Sequence, residues 1–209
     1  MPSLEELLAA GHPPVVAILR GIAPSEAVAV GRALIAAGIR IIEVPANSPG
    51  WLDSIAALVD LAKEEALIGG GTITSSALAQ DLAGAGGKLL VAPNCDPAVI
   101  AAGLDLGMDV MPGVMTPTEA LAATTAGARH LKLFPASSVP QGHLGAMLAI
   151  LPKNTAIWAV GGVDQSNARS WLEAGARGIA AGSNLFRPGR DAGEIESDAK
   201  ALVASLQDA

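Results

Sequence analysis

His130-Leu-Lys-Leu-Phe-Pro-Ala136 sets one lysine, Lys132, in a run that is otherwise almost wholly apolar and ends in Phe134-Pro135. That pattern reads as a buried strand running into a loop. An ammonium placed there loses hydration, which favours the neutral amine and makes Lys132 a candidate nucleophile toward a carbonyl carbon. A lysine snorkelling from a strand end, or one held in a structural ion pair, fits the same stretch, so the rest of the chain has to decide.

Outward from this stretch, a strand-turn-helix unit of roughly 20 to 27 residues repeats. Val15-Val-Ala-Ile-Leu19 exits through Arg20-Gly21 into a helix over 25–37, and Ile39-Arg-Ile-Ile-Glu-Val44 exits through 45–48 into a helix over 49–63, with Pro49 suited to its first turn. Ala66-Leu-Ile-Gly69 leads through Gly70-Gly71-Thr72 to a helix that Thr74 or Ser75 would cap. Leu89–Ala92 and Asp109–Met111 open the next two units, with helices over 97–106 and 118–126. The stretch around Lys132 is the sixth strand, followed by a helix over 142–151. Ile157–Val160 exits through Gly161-Gly162, and Gly178–Ala181 through Gly182-Ser183, with helices over 166–174 and 192–206. Before the repeats, Leu4, Leu7 and Leu8 at helical spacing, with Ser3 as N-cap and Gly11 as stop, predict a short helix. Eight such units without a linker predict a single (β/α)8 barrel over residues 1–209, with a short N-terminal helix and its site at the C-terminal ends of the strands.

Composition agrees with this and removes other classes. Of 209 residues, 51% are hydrophobic and 16% charged, while only 2% are aromatic, so the core is built of Ala, Val, Leu and Ile as in helices packed on a parallel sheet. A net charge of −7 argues against a nucleic-acid or polybasic membrane surface, and any anionic ligand must be met locally. Cys95 is the only cysteine, which excludes an internal disulfide and thiolate zinc cages. With no signal-type N-terminus and no long apolar run, a cytoplasmic protein is expected.

Glu43 stands within Ile-Ile-Glu-Val of the second strand, where a lone carboxylate is costly to bury. Glu43 and Lys132 fall on two even-numbered strands, which contribute to the same interior layers, so the two side chains can meet. They then form either a static ion pair or a nucleophilic amine beside a proton-shuttling carboxyl. Gly161, Gly162, Gly182 and Ser183 fall in the loops after strands seven and eight, where barrels of this class hold phosphate on backbone N–H groups. Arg20 and Thr72, at the exits of the first and third strands, suit a carboxylate or hydroxyl at the mouth, and Asn47, Ser48 and Asn94 belong to the same ring of loops. His12, His130 and His143 lack metal-ligand spacing, and His130 reads as a satisfied core histidine.

These residues together resemble the 2-keto-3-deoxy-6-phosphogluconate and 4-hydroxy-2-oxoglutarate aldolase family of pyruvate-dependent class I aldolases. The resemblance is carried by Ala-Ile-Leu-Arg-Gly at 17–21, Ile-Glu-Val-Pro at 42–45, Gly-Gly-Gly-Thr-Ile at 69–73, Leu-Lys-Leu-Phe-Pro-Ala at 131–136, Val-Gly-Gly-Val at 160–163 and Gly-Ser at 182–183. It implies Lys132 as the Schiff-base lysine and Glu43 as general acid/base, acting directly or through a water. It further implies Arg20 and Thr72 as ligands of the pyruvate end, and Gly161, Gly162 and Ser183 as the phosphate site. The reaction implied is reversible cleavage of a phosphorylated 2-keto-3-deoxy sugar acid, with no metal or other cofactor, in a homotrimer.

Two places resemble the phosphogalactonate branch of that family. The loop Pro45-Ala-Asn-Ser-Pro49 lacks the arginine typical of phosphogluconate enzymes, and Val160 stands where those enzymes carry a threonine able to hydrogen-bond a C4 hydroxyl. Ala46 and Gly70 depart from the branch pattern. The competing expectations are the phosphogluconate epimer or a relaxed enzyme, a sugar-phosphate-binding barrel without turnover, and a metal-dependent epimerase on the same scaffold.

Overall fold

The computed structural model describes residues 1–207; the expected domain runs on to Ala209, and residues 208 and 209 lie outside the described part. α1 (Leu4–Ala9) precedes β1 (Val15–Ile18), α2 (Pro24–Ala36), β2 (Ile41–Pro45), α3 (Trp51–Ala62), β3 (Leu67–Gly71) and α4 (Ser76–Gly84). There follow β4 (Leu89–Val91), α5 (Pro97–Asp105), β5 (Asp109–Met111), β6 (Gly113–Val114), α6 (Pro117–Thr125) and β7 (His130–Leu133). A 3₁₀ turn (Ala136–Ser138), α7 (Gln141–Leu148), β8 (Ala156–Val160), α8 (Ala168–Glu173), β9 (Gly178–Ala181) and α9 (Ala192–Gln207) complete the described chain.

All pairings are parallel, in the order β5-β4-β3-β2-β1-β9-β8-β7-β6. The two ends of that order, β5 and β6, are consecutive in the chain and separated only by Pro112. The fifth strand, expected to end at Met111, therefore continues beyond Pro112 in a second piece, and the ring closes through it. Proline has no N–H for the ladder, but its carbonyl still accepts from Lys132 N at 2.9 Å. The sixth strand of the sequence reading is thus β7, and the (β/α)8 barrel stands.

Two-residue alternation sorts the strand side chains into two cores. Val15, Ala17 and Leu19 pack outward with the helices, as do Leu131 and Leu133, whereas Val16 and Ile18 join Ile41, Leu67, Leu89, Met111, Trp158 and Val160 inside. The same parity directs His130, Lys132 and Glu43 inward. α1 covers the floor: Leu4 and Leu7 enter the inner core, Ser3 and Glu6 form a capping box, and Leu4 N donates to Asp109 Oδ2 at 2.7 Å. His130 Nε2 lies 3.1 Å from Glu5 Oε1, and its Nδ1 accepts from Trp158 Nε1 at 3.2 Å, so it is a satisfied floor histidine. Burial pushes its imidazole down, against the opposing pull of Glu5 and Asp109.

Boundaries differ from the sequence reading where local chemistry wins. Pro49 lies in a turn and not in the first turn of α3, because Gly50, at φ 55°, caps the helix in the left-handed region. Gly70 and Gly71 remain in β3, paired with Val44 and Pro45, where they were expected in the loop. Ser75, not Thr74, caps α4, accepting from Leu78 N at 3.3 Å. α8 starts later than expected because Asp164 and Asn167 close a turn ahead of it. Among the described residues no helix is long and apolar enough to cross a membrane.

Leu4 is wholly buried, so Leu4→Ala should destabilise by about 2–5 kcal/mol. At about 2–4 °C per kcal/mol for a chain of this size, thermal melting should fall by roughly 4–20 °C. The half-buried Leu8→Ala should cost much less; equal losses would show that α1 is not a floor element.

Candidate active site

Lys132 projects from the middle of the barrel wall, its strand neighbours being Gly113 of β6 and Trp158 of β8. Only 5% of it is exposed. Burial pushes its amine below the usual lysine range; Glu43 pulls the other way, and Arg20 adds to the lowering. Its Nζ lies 4.6 Å from the centroid of the Phe134 ring, within cation–π reach. Phe134 follows Lys132 by two, so strand parity brings both to one side.

Glu43 sits on β2 between Ile18 of β1 and Gly69 of β3, 2% exposed. A Cβ at Gly71 would collide with its carboxyl, so glycine there makes room for the acid. Its Oε2 is buried with no hydrogen-bond partner among the described residues. Burial raises its pKa to about 7, against the opposing charges of Lys132 and Arg20. No ion pair among the described residues joins Glu43 to Lys132 at 4.0 Å or less. A static pair is therefore not what the geometry holds. Near neutral pH it holds a carboxyl able to take or give a proton, and an amine biased toward its nucleophilic form.

Above Lys132 opens a cavity of about 680 Å³. Arg20, Lys132 and Val160 line it together with Gly161, Gly162, Gly182 and Ser183, which brings seven of the nine expected site residues to one space. Glu43 and Thr72 are not among the lining residues. Glu43 lies beneath, in the barrel wall, while Thr72 caps β3 with a left-handed φ of 57°, a strained conformation for a β-branched residue. The flanking bonds Ala46 N to Gly71 O and Ile73 N to Val91 O hold it there.

Gly161 and Gly162 have φ of 94° and 73°, which L side chains rarely adopt. Their carbonyls are occupied, by Ser137 N at 3.1 Å and Asn167 Nδ2 at 2.9 Å. After β9, Gly182 O accepts from Leu185 N and Phe186 N, closing one turn. The amides of Gly162, Ser183 and Asn184 donate to no group among the described residues, leaving a nest suited to an anion. On the adjoining rim, after β1, Arg20 donates to Asn47 Oδ1 at 2.9 Å and Gly21 N to Ser48 Oγ at 2.9 Å, so loop 45–49 fixes the Arg20 arm.

The sequence reading placed Asn47 and Ser48 on the rim without a partner, and it missed Phe134, Asn167 and Arg187. Strand parity could have found Phe134. Asn167 and Arg187 act from irregular turns, where spacing carries no signal. No group of three or more His, Cys, Asp or Glu suited to a metal occurs among the described residues.

A raised carboxyl has a stability consequence. The folded chain binds the Glu43 proton more tightly than the unfolded chain between about pH 4.5 and about 7. That contribution is full below the lower value and lost as pH rises through the upper one, on the order of 3 kcal/mol in all. Glu43→Gln, which cannot ionise, should melt roughly 6–12 °C above the parent at pH 8 and near it at pH 5. A melting difference that does not grow with pH would contradict the raised value.

The family model for KDPG and KHG aldolase matches residues 8–200. The probable 2-dehydro-3-deoxy-6-phosphogalactonate aldolase of Rhizobium meliloti (strain 1021) is 46% identical over 192 residues, which cover 92% of this chain and 91% of that protein. The 2-dehydro-3-deoxy-6-phosphogalactonate aldolase of Escherichia coli (strain K12) is 42% identical over 196 residues, covering 94% and 96%. A solved structure described as native KDPGal superposes with a TM-score of 0.91 at 42% identity, covering 93% of this chain and 94% of that one. With a buried lysine and carboxyl below a mouth shaped for an anion, and a match across most of its length, the chain belongs to the KDPG and KHG aldolase family.

Proposed function

We propose that this aldolase cleaves 2-keto-3-deoxy-6-phosphogalactonate reversibly to pyruvate and D-glyceraldehyde 3-phosphate through a Schiff base on Lys132. The observation that carries the reading is the buried Lys132 amine, beside but not paired with Glu43, at the base of a cavity whose upper rim presents free amides. Lys132 attacks the C2 ketone, and loss of water leaves an iminium that accepts electrons. Glu43, directly or through a water, takes the C4 hydroxyl proton as the C3–C4 bond breaks, releasing the aldehyde and leaving the enamine of pyruvate. Protonation of that carbon and hydrolysis free pyruvate and the lysine. Arg20, held by Asn47, meets the substrate carboxylate, and Thr72 supports that end; Gly161, Gly162, Gly182 and Ser183 hold the phosphate.

The galactonate epimer is favoured because Val160 gives the cavity wall a side chain with no hydrogen bond for a C4 hydroxyl, and because the two relatives above carry that name. Lysine chemistry of this kind needs no metal or other cofactor. The family resemblance supports a homotrimer. Exposed Leu104 of α5 and Leu121 of α6, on neighbouring helices, offer it an apolar contact. The lone cysteine supports a cytoplasmic setting.

Borohydride reduction with pyruvate should leave a mass adduct on Lys132; its absence would exclude the Schiff base. The ratio of kcat/KM for the two C4 epimers should favour the galactonate compound, and a preference above about tenfold for the gluconate compound, some 1.4 kcal/mol, would reverse the assignment. Val160→Thr should move the ratio toward the gluconate epimer by about 2–10-fold, the worth of one hydrogen bond.

A further inference from the structure

The mouth cavity is lined by three basic side chains, Arg20, Lys132 and Arg187, and by no acidic one, in a chain whose net charge is −7. The proposed reaction uses the first two. Arg187 stands in the loop between β9 and α9, and its Nε donates to Ser183 O at 2.9 Å. That bond sets the guanidinium beside the open amides of Ser183 and Asn184, while its two terminal amino groups donate to nothing among the described residues. The next arginine is spent differently: Arg190 pairs with Asp198 at 2.9 Å and Glu194 at 3.5 Å and also donates to Leu185 O.

The loop that carries Arg187 is braced at its far end. Gly189 N donates to Glu26 Oε1 at 2.9 Å, while Glu26 Oε2 accepts from Ala23 N at 3.0 Å at the start of α2. Pro188 lies over Gly21, its ring 3.0 Å from where a Cβ of that glycine would stand. Arg187 is therefore presented by a fixed loop that spans from β9 toward the Arg20 side of the mouth. Backbone amides orient an anion but carry no full charge, whereas a guanidinium supplies both charge and a planar fork for phosphate oxygens.

We propose that Arg187 is the charged arm of the phosphate subsite and sets the preference for a phosphorylated over an unphosphorylated three-carbon aldehyde. The proposal rests on the reading above, which puts the phosphate end at the glycine turns. Its test uses the whole chain in the condensation direction, pairing pyruvate with D-glyceraldehyde 3-phosphate or with D-glyceraldehyde. Arg187→Gln should lower the phosphorylated-to-unphosphorylated ratio of kcat/KM by at least about tenfold, mainly through KM of the phosphorylated aldehyde, as expected for loss of charged hydrogen bonds. Arg187→Lys, which keeps the charge without the fork, should recover part of that loss. Melting curves of both variants exclude a folding defect, which the exposure of Arg187 makes unexpected. Ratios within about twofold of the parent in both folded variants would overturn the role of Arg187 and leave the aldolase reading standing. A parent protein that gives no pyruvate adduct on Lys132 would overturn both.

Discussion

Two ionisable side chains share the interior of a barrel without touching, and the rest of the site is arranged around that burial. A charged carboxylate or ammonium left unpaired in such a place costs several kcal/mol, and ordinary proteins avoid the cost by pairing or by keeping the position apolar. Here burial biases both groups toward their neutral forms, with Glu43 raised to about 7 and Lys132 lowered. A tight ion pair would have stabilised both charged forms and removed the free amine. The separation between them is enforced by the sheet: Glu43 on β2 and Lys132 on β7 belong to opposite stretches of a closed ring, with β1, β9 and β8 between them.

The closed ring also explains why the remaining parts are small and local. Its floor is covered by α1, Trp158 and His130, and the cavity around Lys132 is lined by residues at the C-terminal ends of the strands. At that end the chain sets glycine turns, free amides and cationic side chains against an acidic whole, and ties its loops to one another. Asn47 and Ser48 reach Arg20 and Gly21, Asn167 reaches Gly162, and Glu26 reaches Gly189. Each bond joins a loop to a neighbour or to its own helix start, so positions at the mouth are fixed by the frame and not by chain flexibility.

Much of this was legible in the sequence because strands and inward positions obey period two. The eight units, the inward direction of Lys132 and Glu43, the satisfied His130 and the glycine turns after β8 and β9 all follow from pattern and turn chemistry. What was not legible depends on contacts between distant residues. The break at Pro112 preserves the strand direction and is seen only in the pairing. Gly71 reads as a loop glycine until the carboxyl beside it is placed. Thr72 reads as an ordinary residue of a glycine-rich exit, and its left-handed φ of 57° is seen only in the folded backbone. The partner of Arg20 lies 27 residues away and the anchor of Arg187 is a main-chain carbonyl, and neither leaves a spacing signal.

The central claim is that burial, and not pairing, sets the protonation of the Glu43 carboxyl. Its direct measurement is a carbon-13 titration of the side-chain carboxyl resonances, with Glu43 assigned by comparison with Glu43→Gln. A midpoint near pH 7 is the result this account requires. A midpoint near the ordinary value of 4.5 would mean that the carboxylate is charged and compensated throughout, and would contradict it.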